Sequence, residues 1–169
     1  MEEISASLLE RAAEAPKGIE LTEEEKEKFF KSVLTDTPYE DTVNLFDERL
    51  TITLRTMSVE ENNDVVEQIA KDKEFGNAEN SDAYFITIST YRLGLCLLKV
   101  DDKEYSNVSK KTFKSEDPGI TYIRARALKM RDWPTFKLSA FLDAFNKFES
   151  RVVKLTNAVQ QQNFWKASV

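Results

Sequence analysis

The stretch Leu50-Thr51-Ile52-Thr53-Leu54-Arg55-Thr56-Met57-Ser58-Val59-Glu60-Glu61 changes period in its middle. Leu50, Ile52 and Leu54 alternate with Thr51, Thr53 and Arg55, which is the two-residue repeat of a strand with one face buried. Threonine on the other face suits a pleat, because its branched Cβ fits there without loss. Ser58 followed by Glu61 is then a capping box, in which hydroxyl and carboxylate satisfy each other's backbone N–H and start a helix. A strand running straight into a capped helix predicts an α+β fold.

Upstream, Val43, Leu45 and Phe46 precede the polar turn Asp47-Glu48-Arg49, so a short β-hairpin is expected over about 43–57. Before it, Thr22 and Glu25 form a second capping box, and Glu23, Glu24 and Glu25 complement the helix dipole. That helix carries Phe29, Phe30, Val33 and Leu34 as a narrow apolar face. Ile4, Leu8 and Leu9 open an earlier amphipathic stretch, which Pro16 and Gly18 close.

Downstream, the helix begun at Ser58 offers Val59, Val65, Val66 and Ile69 as its buried side, with Gly76 beyond its end and Asn62-Asn63-Asp64 as a solvated face. The segment Ala83–Val100 is the most hydrophobic of the chain. Tyr84, Ile88, Tyr91, Leu95 and Leu98 follow helical spacing, and a buried helix is expected. The alternation in Phe85–Tyr91 also suits a strand, and Gly94 weakens a helix. Asp101-Asp102 and the polar residues around Tyr105 suggest a turn or small hairpin. Asp117-Pro118 opens a helix to about Met130 that carries Ile120, Ile123 and Ala127. Trp133-Pro134 breaks it and starts another with proline at the first helical position. This last helix runs from Pro134 to Val159. Leu138, Phe141, Phe145, Phe148, Val152, Leu155 and Val159 form its apolar seam, widened by Leu142 and Val153. At about 26 residues it spans roughly 39 Å, longer than a core of this size covers, so part of it is expected to meet a partner. The expected architecture is α+β and mostly α-helical. An acidic N-terminal helical segment (1–36) is followed by a mixed α/β core (37–132), then by a long C-terminal helix with a docking tail (133–169).

Hydrophobic residues make up 41% of the 169 and charged residues 32%, a balance that supports one real core beneath a wet surface. With 4 Gly and 4 Pro, long low-complexity segments are not expected. No apolar run reaches the ~18–20 residues of a membrane span. The opening Met1-Glu2-Glu3 is unlike the basic start of a signal peptide, so action in the cytosol is expected.

Histidine is absent. With it go the usual general base near neutral pH and the Ser-His-Asp, Cys-His and common zinc-hydrolase sites. Carboxylates remain, but nothing in their spacing selects a pair from the 30 acids. Gly18, Gly76, Gly94 and Gly119 lie too far apart for a phosphate-cradling loop. The one cysteine, Cys96, lies in an apolar run and reads as a buried thiol. No catalytic residue, cofactor or metal site is assigned.

Charge is uneven. Residues 1–48 hold 14 acids against 5 bases, whereas 110–137 hold eight bases against three acids. The basic residues are Lys110, Lys111, Lys114, Arg124, Arg126, Lys129, Arg131 and Lys137. Complementary docking follows, between neighbouring copies or onto an acidic partner. A nucleic-acid-associated regulator using the 110–137 patch is the alternative, weakened by the overall charge of −6 and the lack of a reader motif. Beyond the seam, Phe164 and Trp165 follow Gln160-Gln161-Gln162 as aromatic anchors suited to a partner's pocket. The expected docking set is therefore Phe164 and Trp165, with Leu155 and Val159 at the seam's end and Arg124, Arg126, Lys129 and Arg131 from the basic stretch.

Three features come in a suggestive order: the strand-to-capped-helix stretch 50–61, the Tyr91-Arg92-Leu93 apolar helix, and the Trp133-Pro134 break before a long helix ending in Asn163-Phe164-Trp165-Lys166. In that order the chain from 46 to 169 resembles small tail and baseplate (hub) assembly proteins of contractile-tailed bacteriophages. The resemblance implies a non-enzymatic protein that binds other tail or baseplate proteins. It would act in the host cytoplasm during assembly or be retained in the virion tail. No catalytic residues come with the resemblance, and the acidic first segment has no counterpart in it.

Overall fold

A computed structural model describes residues 20–74 and 81–161, with backbone alone for 81–84. The stretch around Ile4, Leu8 and Leu9, the expected helix stop at Gly76, and Phe164 and Trp165 lie outside the described residues. The described elements are α1 (Glu23–Leu34), β1 (Glu40–Leu45), β2 (Leu50–Arg55), α2 (Val59–Glu74), α3 (Ser81–Cys96), β3 (Leu97–Val100), β4 (Lys103–Glu104), α4 (Tyr122–Leu128) and α5 (Thr135–Gln160). Five helices and one four-stranded antiparallel sheet, ordered β1-β2-β3-β4, give the α+β class.

The hairpin forms as the alternation dictates. Val43 lies opposite Ile52 and Leu45 opposite Leu50, and Ile52 and Leu54 have no exposed surface. Its turn is unusual: Phe46, Asp47 and Glu48 have φ of 53°, 54° and 64°. This is the left-handed region that side chains with a Cβ disfavour by about 1–2 kcal/mol each.

The sheet has a third strand that hydropathy did not separate. The expected helix over Ala83–Val100 ends at Cys96, and Leu97–Val100 pair with β2 (Ile52 with Val100, Leu54 with Leu97). The run stays apolar across the junction, and it is the open backbone edge of β2 that draws it into the sheet. Asp101 closes the arrangement, its N–H donating to Thr51 O (2.6 Å) while its carboxylate accepts from Thr51 N (3.0 Å). The small hairpin expected there is β3–β4.

Both capping boxes are present. Thr22 Oγ1 accepts from Glu25 N and Glu25 Oε2 accepts from Thr22 N. At α2, Ser58 and Glu61 exchange the same pair, and Glu61 adds a bidentate pair with Arg55 (2.6 and 2.9 Å) that ties helix to strand.

Two helices depart from expectation. Of the residues assigned to the buried side of α2, Val65 is buried and Ile69 partly so, but Val59 and Val66 are exposed and Gln68 and Asp72 are buried instead. The helix expected from Asp117 starts at Tyr122, four residues after Pro118. Asp117 Oδ1 accepts from Gly119 N in a local turn, and Thr121 Oγ1 caps the helix from Ile123 N. Pro134 lies just before α5, where its carbonyl accepts from Lys137 and Leu138.

The described residues divide into two compact units, one within 40–145 and the other formed by the segments 20–39 and 146–161. α5 contributes to both. In the larger unit Phe141, Ala144 and Phe145 are buried, and the Trp133 ring meets Phe141 edge-on at 4.8 Å. Val65, Tyr91, Leu95, Tyr122, Ile123 and Ala127 form a second cluster there, between α2, α3 and α4. In the smaller unit Tyr39 stacks on Phe148 at 6.1 Å and meets Phe29 edge-on at 5.4 Å, while Arg151 pairs with Glu25. Phe148 and Leu155 are buried and Leu138, Leu142, Val152 and Val159 partly so; Val153, which was expected to widen the seam, is exposed.

Gly94 of α3 faces the backbone of α4. A Cβ there would meet Ala127 N at 3.4 Å and Ala127 Cα at 3.5 Å, ordinary van der Waals contact. Alanine therefore fits, and it removes the helix penalty of glycine, about 1 kcal/mol. Gly94→Ala is expected to raise Tm by about 2–4 °C in a calorimetric scan; a fall would show that the two helices cannot accept the methyl group.

Candidate docking cleft and the polar network beneath it

Asp64, Gln68 and Asp72 recur every fourth residue and share one face of α2. Asp72 and Gln68 are buried, so each polar atom needs a partner. Asp72 Oδ1 accepts from Arg124 (2.7 Å) and Gln68 Nε2 (2.8 Å), and Oδ2 accepts from the Tyr91 hydroxyl (2.5 Å). Gln68 Nε2 also donates to Gly119 O (3.0 Å), while its Oε1 accepts from Thr121 N (3.0 Å) and Oγ1 (2.6 Å). One side chain of α2 thus fixes the start of α4.

A turn earlier, Asp64 accepts from the Tyr122 hydroxyl (2.6 Å) and from Lys110 Nζ (2.9 Å), which also reaches Glu60 (2.9 Å). Burial pushes the Asp64 carboxyl up, but the Tyr122 and Lys110 hydrogen bonds outweigh it and hold the group below its ordinary value. Burial, reinforced by the Asp64 carboxylate, pushes the Tyr122 hydroxyl well up, so it stays a donor. Glu61 behaves like Asp64: burial raises it, and Arg55 and the Ser58 N–H bring it lower.

Arg126 is buried without a carboxylate. Its guanidinium donates to the carbonyls of Gly94 (2.7 Å), Leu97 (3.2 Å), Ser106 (3.2 Å) and Val108 (2.8 Å). The Tyr105 hydroxyl donates to Arg126 O (2.6 Å).

Against this network lies an open cleft of about 520 Å³ between α3, α4 and the start of α5. Ile86, Leu128, Met130, Trp133 and Leu138 give it apolar walls, and Ile86 (57% exposed) and Leu128 (39%) still face solvent. Thr87, Thr90 and Thr135 add hydroxyls, Arg131 brings positive charge, and Arg124 lines the cleft with its charge met by Asp72. Among the described residues no carboxylate lines it. The cleft can receive an apolar segment that carries acids. Among the described residues no group of three or more Cys, Asp or Glu could hold a metal ion, and no helix is long and apolar enough to cross a membrane.

Of the expected docking residues, the structure brings Arg124 and Arg131 together in this cleft. Lys129 is exposed on α4's end and reaches Tyr105 O at 3.4 Å. Arg126 is spent on carbonyls and Leu155 has no exposed surface, so neither is presented to a partner. Val159 is partly exposed. The basic stretch is no single patch, since Lys110 and Arg124 are bound to carboxylates and Arg126 is buried. The sequence reading missed Gln68, Asp72 and the cleft. The four-residue spacing of Asp64, Gln68 and Asp72 was the available signal. No family model, curated protein or solved structure matches the chain.

Asp72→Ala strands the donors of Arg124, Tyr91 and Gln68. A stability loss of about 2–4 kcal/mol is expected from urea denaturation, tempered by water reaching Arg124. The lowered carboxyls of Asp64 and Glu61 stabilise the fold fully above their unfolded values of 3.8 and 4.5, and this contribution fades as pH falls through those values towards the folded ones. Stability should therefore be level near neutrality and fall below about pH 5. Asp64→Asn should flatten part of that acid limb; an unchanged limb would show that the carboxylate is not held low.

Proposed function

We propose that the chain is a non-enzymatic docking protein that takes an acidic, apolar-anchored segment of a partner protein into the cleft between α3, α4 and α5. The observation that carries this reading is the cleft itself: exposed apolar walls, the charge of Arg131 beside an Arg124 held by Asp72, and no carboxylate among the described lining residues. Apolar surface left open beside charge of one sign is what a partner of opposite sign covers. Arg124 is already oriented by Asp72, so less side-chain freedom is lost when a second carboxylate arrives. In the setting that the phage resemblance implies, the partner is another tail or baseplate protein and the role is assembly.

The test uses two labelled amphipathic helical peptides, identical except that one carries glutamate and the other lysine on the polar face. Fluorescence anisotropy should show the acidic peptide binding and the basic one not. Arg131→Glu should weaken the acidic peptide at least tenfold, ~1.4 kcal/mol, and added salt should weaken it further. Deleting Gln160–Val169 should leave this binding unchanged, which separates the cleft from the terminal aromatic residues as the anchor. Equal binding of both peptides would sink the proposal.

A further inference from the structure

Among the described residues the sheet ends on β1 with its outer edge unpaired. Exposed edges are ordinarily blunted by proline, lysine, a bulge or shortness. β1 is six residues long, lacks Pro, Lys and a bulge, and pairs with β2 in unbroken register. Its charge is confined to its first two residues, Glu40 and Asp41, and Asp41 Oδ1 holds the Thr42 N–H at 2.9 Å, a bond that pairing would exchange for a carbonyl of the second strand. The opposite edge differs, since β4 is two residues long and both, Lys103 and Glu104, are charged and exposed. The inner face is also incomplete at β1. Val43 and Leu45 keep part of their surface exposed while Ile52 and Leu54 beside them keep none.

We propose that β1 pairs antiparallel with β1 of a second copy about a two-fold axis at Val43, joining the two sheets into one. A two-fold perpendicular to the sheet keeps inner residues on the inner side, so opposed residues must share a face. Centring on Val43 sets Val43 against Val43 of the second copy, Thr42 against Asn44 and Asp41 against Leu45. The Thr–Asn pair already occurs in this sheet: directly across β1 and β2, Thr51 Oγ1 donates to Asn44 Oδ1 at 3.0 Å. That bond uses the amide oxygen of Asn44 and leaves its NH₂ to donate to Thr42 Oγ1 of the second copy, twice by symmetry. Glu40 and Asp41 of the two strands fall at opposite ends of the ladder, so no like charges face each other. The short charged β4 stops further growth, and the assembly closes at two copies. The cleft takes no part, so this pairing and the docking reading stand or fall separately.

Sedimentation equilibrium of the full chain provides the test. The interface is small, so a monomer–dimer equilibrium in the range of ~10–100 µM is expected. Val43→Lys, which sets two ammonium groups against each other, should leave monomer alone. Val43→Cys should form a disulfide-linked dimer under mild oxidation, because directly opposed Cβ atoms lie ~4.5–5.5 Å apart and the native Cys96 is buried. A chain monomeric throughout that range, or a dimer unaffected by Val43→Lys, overturns the proposal. If Val43→Lys fails to fold, the cross-link decides, and its absence overturns the proposal equally.

Discussion

A carboxylate inside a protein must be met by donors, and Asp72 sets that condition for the larger unit. Its two oxygens take Arg124, Gln68 and Tyr91, one donor from each of the three helices α4, α2 and α3. Apolar contacts between Val65, Leu95, Ile123 and Ala127 would permit those helices to slide or rotate by small amounts. Hydrogen bonds at 2.5–2.8 Å do not. The buried polar stripe of α2 thus selects one arrangement among several that would bury similar area.

That selection shapes the cleft. Arg124 and Tyr91 belong both to the Asp72 network and to the cleft's lining. The floor is therefore fixed from below by charge, while the walls at Ile86 and Leu128 remain open to solvent. A rigid floor with uncovered apolar walls suits recognition of a shaped partner, because little ordering is left to be done when that partner arrives. The hairpin contributes an aromatic pair of its own. Phe46, held by a left-handed turn, meets the exposed Phe136 edge-on at 6.4 Å.

Features whose chemistry lies within three or four residues were legible in the sequence. The two capping boxes, the β1–β2 hairpin, the break at Trp133-Pro134 and the extent of α5 depend on local spacing, and they formed where that spacing said. β3 was not legible, because Leu97–Val100 continue the apolar run of α3 and only the open edge of β2 distinguishes them. The start of α4 was misplaced for a related reason: Asp117-Pro118 has the chemistry of a helix opening, yet Gln68, more than fifty residues away in sequence, anchors Thr121 as the cap. The buried face of α2 was read from valines alone. Hydroxyls on Tyr91 and Tyr122 and the guanidinium of Arg124 turned the carboxylates inward, and those partners lie on other helices. The cleft needs three segments to meet and left no local trace.

Arg126 has a consequence for how this fold is reached. Its guanidinium takes carbonyls from the end of α3, from β3 and from the loop at Ser106 and Val108. None of those oxygens has its native partner until α4 arrives, and α4 has no place for a buried cation until all of them converge. A half-docked α4 that kept water out would strand either the charge or the carbonyls, which disfavours partly assembled states. One side chain thus ties helix, strand and loop into a single unit whose opening exposes all of them at once.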